Sequence, residues 1–131
     1  RRRGLWCCRG DLAEESDFSL PAVLRRGSLS LAVSSGGANP LLAAEIRDRL
    51  EGLVPAAWGD AVELMAALRR KTLTVTGGEK YNQQILRLFL EHLLPLLEQG
   101  KYCEIDRLLQ ETFGREFSLQ RLQVLVPEGI L

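Results

Sequence analysis

The residues best suited to chemistry in this chain form a short polar loop, Ser34-Ser35-Gly36-Gly37, followed by Asn39 and Pro40. Glycine has no Cβ, so its backbone can turn freely and approach a ligand closely. Asn39 and Pro40 are typical of the N-cap and first position of a helix, where free N–H groups and the helix dipole favour an anion. The pattern predicts an anion site, although a plain turn between a strand and a helix would need the same glycines.

Ionisable side chains elsewhere offer fewer possibilities. The single histidine, His92, stands beside the apolar face of a predicted helix without a second ligand three or four residues away, so it does not predict a metal site. Arg25 and Arg26 precede the strand that leads into the loop, where they could bind an anion or remain solvated. Three cysteines without CxxC spacing favour a reducing, cytoplasmic compartment over a disulfide framework.

A strand and a helix must position the polar loop. Leu29, Leu31 and Val33 alternate with small or polar residues, which predicts a strand over residues 28–34. Beyond the loop, an apolar stripe at helical spacing predicts a helix from Pro40 to about residue 50. The loop is therefore expected to connect the end of a strand to the start of a helix.

The rest of the chain is predicted to be helical. Apolar residues at helical spacing indicate four further helices, over residues 58–73, 81–97, 102–113 and 119–126. Pro95 should kink or interrupt the second of them, Gly100 should end it, and Ser118 is a candidate cap for the last. We therefore predict a mostly α fold with a small αβ segment.

Composition limits the class of protein. The 131 residues are 46% hydrophobic and carry 17 basic and 17 acidic side chains, which suits one globular unit and gives no reason to expect a nucleic-acid partner. No apolar run approaches the roughly 20 residues that span a bilayer, and no signal-peptide pattern is evident, so no membrane partner is expected. Because the chain begins at Arg1 rather than methionine, we expect a fragment.

Several short motifs follow one another in a fixed order: Asp11, Phe18-Ser19-Leu20-Pro21, Arg25-Arg26-Gly27, Ser34-Ser35-Gly36-Gly37, Asn39-Pro40 and Arg47-Asp48-Arg49-Leu50-Glu51. Their order and spacing strongly resemble the precorrin-2 dehydrogenase family, the N-terminal region of siroheme synthases. That family usually has Asn-Val-Val before the aspartate, where this chain has Cys8-Arg9-Gly10. The resemblance is sharp from Asp11 to about Arg70 and less specific beyond it.

The resemblance implies NAD-dependent oxidation of precorrin-2 to sirohydrochlorin, and in bifunctional members also iron insertion to give siroheme. It implies that Asp11 is the catalytic base, that the protein is a homodimer, and that the partner is a tetrapyrrole. The carboxylates of that substrate would then meet the residues Ser34, Ser35, Gly36, Gly37, Asn39, Arg25 and Arg26. No cofactor-binding residue is expected in this chain, because the dinucleotide fingerprint of the family has no counterpart here.

In this interpretation the chain is the dimerisation and helical region of a siroheme-synthase-type dehydrogenase, with at most the last strand of its Rossmann sheet. We expect the end of a Rossmann-like part over residues 1–17, a dimerisation αβ segment over 18–57 and a helical region over 58–131. Without the NAD-binding half, the chain alone is expected to be inactive.

Two alternatives to an enzyme of this family stay open. The chain could be a non-catalytic tetrapyrrole-binding or interaction protein derived from the family, which the missing half and the changed neighbours of Asp11 favour. It could also be a sugar-phosphate-binding or isomerase-type module. That second alternative leaves the spacing between Asp11 and the Phe-x-x-Pro motif unexplained.

Overall fold

A computed structural model describes residues 4–9, 15–75 and 82–124, and it confirms a mostly helical fold with one small antiparallel sheet. The sheet is a hairpin of β1 (Ala22–Arg26) and β2 (Leu29–Val33). The helices of the described part are α1 (Pro40–Glu51), α2 (Ala57–Val75), α3 (Gln83–Glu98), α4 (Tyr102–Phe113) and α5 (Leu119–Leu122). None of these helices is long and apolar enough to cross a lipid bilayer.

Internal contacts divide the chain into two units, Arg1–Arg25 with Ser30–Val54, and Arg26–Leu29 with Pro55–Leu131. The hairpin turn thus groups with the helical unit, whereas most of each strand groups with the first unit. The boundaries expected from the sequence, at residues 17 and 57, stay predictions.

The hairpin contains one strand that the sequence analysis missed. β2 lies within the predicted range 28–34. β1 was not expected, because its last two residues, Arg25 and Arg26, were considered only as charges that precede β2. Gly27 and Ser28 form the two-residue connection, and Gly27 has a φ of 52°. A positive φ at the first central residue suits a hairpin turn, and glycine adopts it without a steric penalty.

The first unit has few buried residues. Asn39 caps α1 as predicted, since its side chain accepts a hydrogen bond from Leu42 N–H at 2.9 Å, and Pro40 is the first helical residue. Within the described part of this unit, the buried apolar side chains are Leu24, Ala43 and Val54. Three such residues give a small core.

The main hydrophobic core lies in the second unit, where α2, α3, α4 and α5 pack together. The rings of Phe89 and Phe113 meet edge to face with centroids 5.2 Å apart, and Phe117 lies 5.9 Å from Phe113. Burying a leucine or phenylalanine side chain contributes about 1.5–3 kcal/mol. The largest fully buried residues of this core are Leu64, Leu68, Phe89, Leu93, Ile105, Leu109, Phe113 and Phe117.

The helices of the second unit follow the predicted order, with one difference at Pro95. α3 runs through Pro95 to Glu98, so the helix is not interrupted there. The proline is exposed and removes one backbone donor in the last turns, which is too little to end a helix with a buried face. Gly100, with a φ of 67°, follows the helix as expected, and Lys101 N–H donates to Leu96 O at 2.9 Å.

The last two helices agree with the sequence where the structure describes them. α4 has the predicted bounds, residues 102–113. Ser118 caps α5, because its Oγ accepts a hydrogen bond from Arg121 N–H at 3.2 Å. α5 ends at Leu122, and the last two residues of its predicted range lie outside the described residues.

Candidate functional site

A cleft of about 590 Å³ lies in the first unit beside the polar loop. Ser34, Ser35, Gly36 and Gly37 line it together with Pro40 and Ala43 of α1. Its other lining residues come from the chain before and at the start of β1: Cys8, Arg9, Ser16, Asp17, Phe18, Ser19, Leu20, Pro21 and Ala22. The fold thus brings the polar loop and the Phe-x-x-Pro motif to one cleft, whose volume suits a small-molecule site.

Hydrogen bonds within the loop fix its shape. Ser34 Oγ accepts from Gly36 N–H at 3.2 Å, and Ser35 Oγ accepts from Asn39 N–H at 3.0 Å. A serine hydroxyl is both an acceptor and a donor, so each of these groups still has a hydrogen to donate. Gly37 N–H has no acceptor among the described residues. The loop therefore offers two hydroxyl donors and one backbone donor to a ligand.

The two glycines of the loop are required by backbone conformation. Gly36 and Gly37 have φ values of 66° and 85°, a region that residues with a Cβ rarely adopt. A Cβ at Gly36 would meet no atom within 4 Å, so crowding does not explain the glycine there. A tight strand-to-helix turn needs this conformation whether or not a ligand binds.

The charged residues that line the cleft, in the part that the structure describes, are Arg9 and Asp17. The Arg9 guanidinium pairs with the Glu15 carboxylate, and Asp17 Oδ2 accepts a hydrogen bond from Cys7 N–H at 3.0 Å. Sequence reasoning did not find Arg9. The segment around it has no periodic pattern, and the pairing of residues 7–9 with 15–17 combines one backbone hydrogen bond with several side-chain hydrogen bonds.

Several residues predicted to bind the substrate do not line this cleft. Arg25 and Arg26 are the last residues of β1, and neither is among the lining residues. The Asn39 side chain caps α1 and is also not a lining residue. Asp11, the predicted catalytic residue, lies outside the described residues. The ligand roles of these four residues stay predictions.

His92 has an ordinary structural role in α3. Its ring is exposed, and Nδ1 lies 2.8 Å from Leu88 O, so a ring N–H can donate to a carbonyl of its own helix. Among residues 4–9, 15–75 and 82–124, no three His, Cys, Asp or Glu side chains are grouped to hold a metal ion. His92 also lines a cleft of about 640 Å³ together with Glu104 and Arg107 of α4.

Comparison with known proteins identifies the region that contains the loop. A family model described as "Sirohaem biosynthesis protein central" matches residues 26–53, from the end of β1 to just beyond α1. The siroheme synthase of Nitrosomonas europaea is 38% identical over 89 residues, or 67% of this chain. The chain belongs to the siroheme synthase family. The siroheme synthase of Methylococcus capsulatus is 31% identical over 112 residues, or 85% of the chain.

The match to siroheme synthases concerns one region of much longer proteins. The chain covers 17% of the Nitrosomonas europaea protein and 24% of the Methylococcus capsulatus protein. Siroheme synthase 2 of Yersinia pseudotuberculosis is 26% identical over 127 residues, which are 95% of this chain and 27% of that protein. The loop between β2 and α1 lies inside the segment that the family model matches.

Proposed function

We propose that this chain is the substrate-facing region of a precorrin-2 dehydrogenase in siroheme biosynthesis. The observation that supports this most is the cleft of about 590 Å³ beside the Ser34–Gly37 loop. That loop lies within the segment that the sirohaem family model matches. Precorrin-2 carries acetate and propionate carboxylates around its ring. Hydroxyl and backbone N–H donors are suited to bind such groups, and the loop supplies both kinds.

The oxidation of precorrin-2 to sirohydrochlorin removes a hydride and a proton from the macrocycle. In our proposal, the carboxylate of Asp11 takes the proton as a general base. The loop binds the peripheral carboxylates and so orients the ring toward that base. If the protein also inserts iron, the same carboxylate would accept the pyrrole N–H protons as the metal enters.

NAD is the hydride acceptor that the resemblance implies, and the residues of this chain do not fit it. A dinucleotide site needs a G-x-G-x-x-G turn between a strand and a helix. The turn between β2 and α1 instead reads Ser-Ser-Gly-Gly-Ala-Asn, over residues 34–39. The residues of this turn therefore do not form a dinucleotide-binding site.

The proposed working form is a homodimer whose interface includes α1. Leu42 and Ile46 lie four residues apart on one face of this helix and are 51% and 40% exposed, and Leu41 is 79% exposed. Exposed apolar surface of this extent often marks a contact with another protein. A second copy of the chain would supply the cover that the small core of the first unit lacks.

A second candidate function is tetrapyrrole binding without oxidation. Arg9 favours it, because the family pattern has valine at this position, two residues before the catalytic aspartate. A cation at this position can bind a carboxylate of the macrocycle whether or not Asp11 acts as a base. The chain would then hold the macrocycle without removing its proton.

Binding and turnover measurements separate the two candidates. We expect the 131-residue chain to bind sirohydrochlorin in a fluorescence or absorbance titration. A complete protein that contains this region should also convert precorrin-2 to sirohydrochlorin when NAD is supplied. Binding without conversion would support the second candidate, and a lack of binding to either protein would contradict both.

A further inference from the structure

Arg9 provides the positive charge of the cleft. Among the described lining residues it is the cationic one, and Asp17 is the anionic one. The family pattern has valine where this chain has Arg9, so the charge is a feature of this chain rather than of the motif. A cleft that combines a cation with the hydrogen-bond donors of the Ser34–Gly37 loop is suited to a ligand with several anionic groups.

The backbone of Arg9 is held at the cleft by a ladder of hydrogen bonds. Arg9 N–H donates to Ser16 Oγ at 2.8 Å, and the Ser16 hydroxyl donates to Arg9 O at 3.2 Å. Next to this pair, Asp17 N–H donates to Cys7 O at 2.8 Å, and Cys7 N–H donates to Asp17 Oδ2 at 3.0 Å. The two segments are therefore tied together, which fixes the base of the Arg9 side chain.

The Arg9 guanidinium can exchange its ion pair with Glu15 for a contact with a ligand. It pairs with Glu15, and the two side chains are 40% and 60% exposed. An ion pair in contact with water contributes little net stability, so a ligand can displace it. A guanidinium also has several N–H donors in a planar fork, which match the two oxygens of a ligand carboxylate.

We propose that Arg9 binds one carboxylate of the tetrapyrrole while the donors of the Ser34–Gly37 loop bind another. This inference rests on the proposed function, and it assigns to Arg9 the role that the sequence pattern suggested for Arg25 and Arg26. Asp17 lines the same cleft and repels carboxylates. The placement of one cation and one anion thus selects the orientation in which the macrocycle enters.

The test is a fluorescence titration of uroporphyrin, a stable porphyrin with acetate and propionate groups, into the 131-residue chain. Arg9→Gln should weaken binding by about tenfold at low salt, because a charge-assisted hydrogen bond is lost. Arg9→Lys should recover part of this loss, since lysine keeps the charge but not the fork. The affinity of Arg9→Gln should also depend less on salt concentration than that of the unaltered chain.

Arg49→Gln is the matched control. Arg49 also forms an exposed ion pair, with Glu45 at 3.0 Å, but it lies on α1 outside the cleft, so its variant should bind uroporphyrin like the unaltered chain. Circular dichroism checks that each variant is folded. Equal affinity and equal salt dependence in Arg9→Gln and Arg49→Gln would overturn this inference but not the proposed function. Failure of the unaltered chain to bind uroporphyrin would overturn the proposed function together with it.

If Arg9→Gln does not fold, two other results decide the question. Binding by the unaltered chain that does not weaken as salt is added would contradict a role for a guanidinium. Glu15→Gln removes the carboxylate that competes with the ligand in the Arg9–Glu15 ion pair, so this variant should bind uroporphyrin at least as tightly as the unaltered chain. Weaker binding by Glu15→Gln would contradict the exchange of partners on which the inference depends.

Discussion

Gly59 lies directly against the backbone of Arg26. A Cβ at Gly59 would come within 2.3 Å of the Arg26 carbonyl oxygen and 2.8 Å of the Arg26 carbonyl carbon. Both residues belong to the second unit, where Ser28 of the same turn donates a hydrogen bond to Glu63 of α2 at 2.9 Å. The first turn of α2 therefore packs on the hairpin turn at a distance that only glycine permits.

The first prediction is that Gly59→Ala destabilises the protein. The new methyl group would overlap backbone atoms that cannot move as a flexible side chain can, so we expect a loss of about 2 kcal/mol or more in the free energy of unfolding. Urea denaturation followed by circular dichroism measures this. Gly52→Ala is the control, because Gly52 has a φ of −73° and a Cβ there would lie 3.9 Å from the nearest atom, Arg49 O. Equal stabilities of the two variants would show that the contact is absent.

The second prediction concerns the cap of α1. Asn39→Ala removes the acceptor of Leu42 N–H and should destabilise the helix start by about 1 kcal/mol, whereas Asn39→Asp keeps an acceptor and should cost much less. Hydrogen exchange of the α1 amides reports this locally, since the helix has one buried residue and depends on its cap. Similar exchange rates in the alanine and aspartate variants would argue against capping by this side chain.

The helices were predictable because their local signals agree with their packing. The bounds of α4 agree with the spacing of Ile105, Leu109 and Phe113, which lie four residues apart and are buried in the structure. β1 was missed because Leu24 is its one buried residue and two arginines end it. A strand that pairs mainly through its backbone leaves a weak pattern of side chains.

The candidate site was predictable only where it is local in sequence. The loop and the cap at Asn39 lie within a few residues of each other, and the sequence identified both. Arg9 reaches the cleft through bonds to Ser16, seven positions away, between segments without periodicity. A contact of this kind depends on tertiary structure, so neither composition nor spacing indicates it. Without such tertiary information, the sequence indicated Arg25 and Arg26 as ligand-binding residues from their charge and from the order of the motifs.

The third prediction is that the chain forms a dimer through α1. Light scattering at micromolar concentration should give a mass near twice 14.6 kDa. Leu42→Glu should shift the mass toward that of one chain, because a buried charge in an apolar interface is unfavourable. Leu88→Glu is the control, since Leu88 is 59% exposed on α3 of the other unit and Leu42 is 51% exposed. A single-chain mass for the unaltered protein would contradict the proposed dimer.

The fourth prediction concerns the hydroxyl of Ser35. Ser35→Ala removes a donor to a ligand carboxylate and also the acceptor of Asn39 N–H, so sirohydrochlorin binding should weaken by about 0.5–1.5 kcal/mol. Isothermal titration calorimetry measures the change. Ser30→Ala is a suitable control, because Ser30 is exposed on β2 and does not line the cleft. If both variants keep the original affinity, the hydroxyl of Ser35 does not contact the ligand.

The last prediction concerns Asp11 and uses a complete protein that contains this region. Asp11→Asn keeps the size and most of the hydrogen bonding of the side chain but removes the basic carboxylate, so turnover of precorrin-2 should fall by a factor on the order of 10² or more. Sirohydrochlorin binding should change much less, because the loop and Arg9 still hold the carboxylates of the macrocycle. Asp48→Asn, on an exposed residue of α1 that pairs with Arg47, should leave both properties unchanged. If Asp11 only stabilises a surface turn, asparagine replaces it well, and unaltered turnover in Asp11→Asn would remove the catalytic assignment.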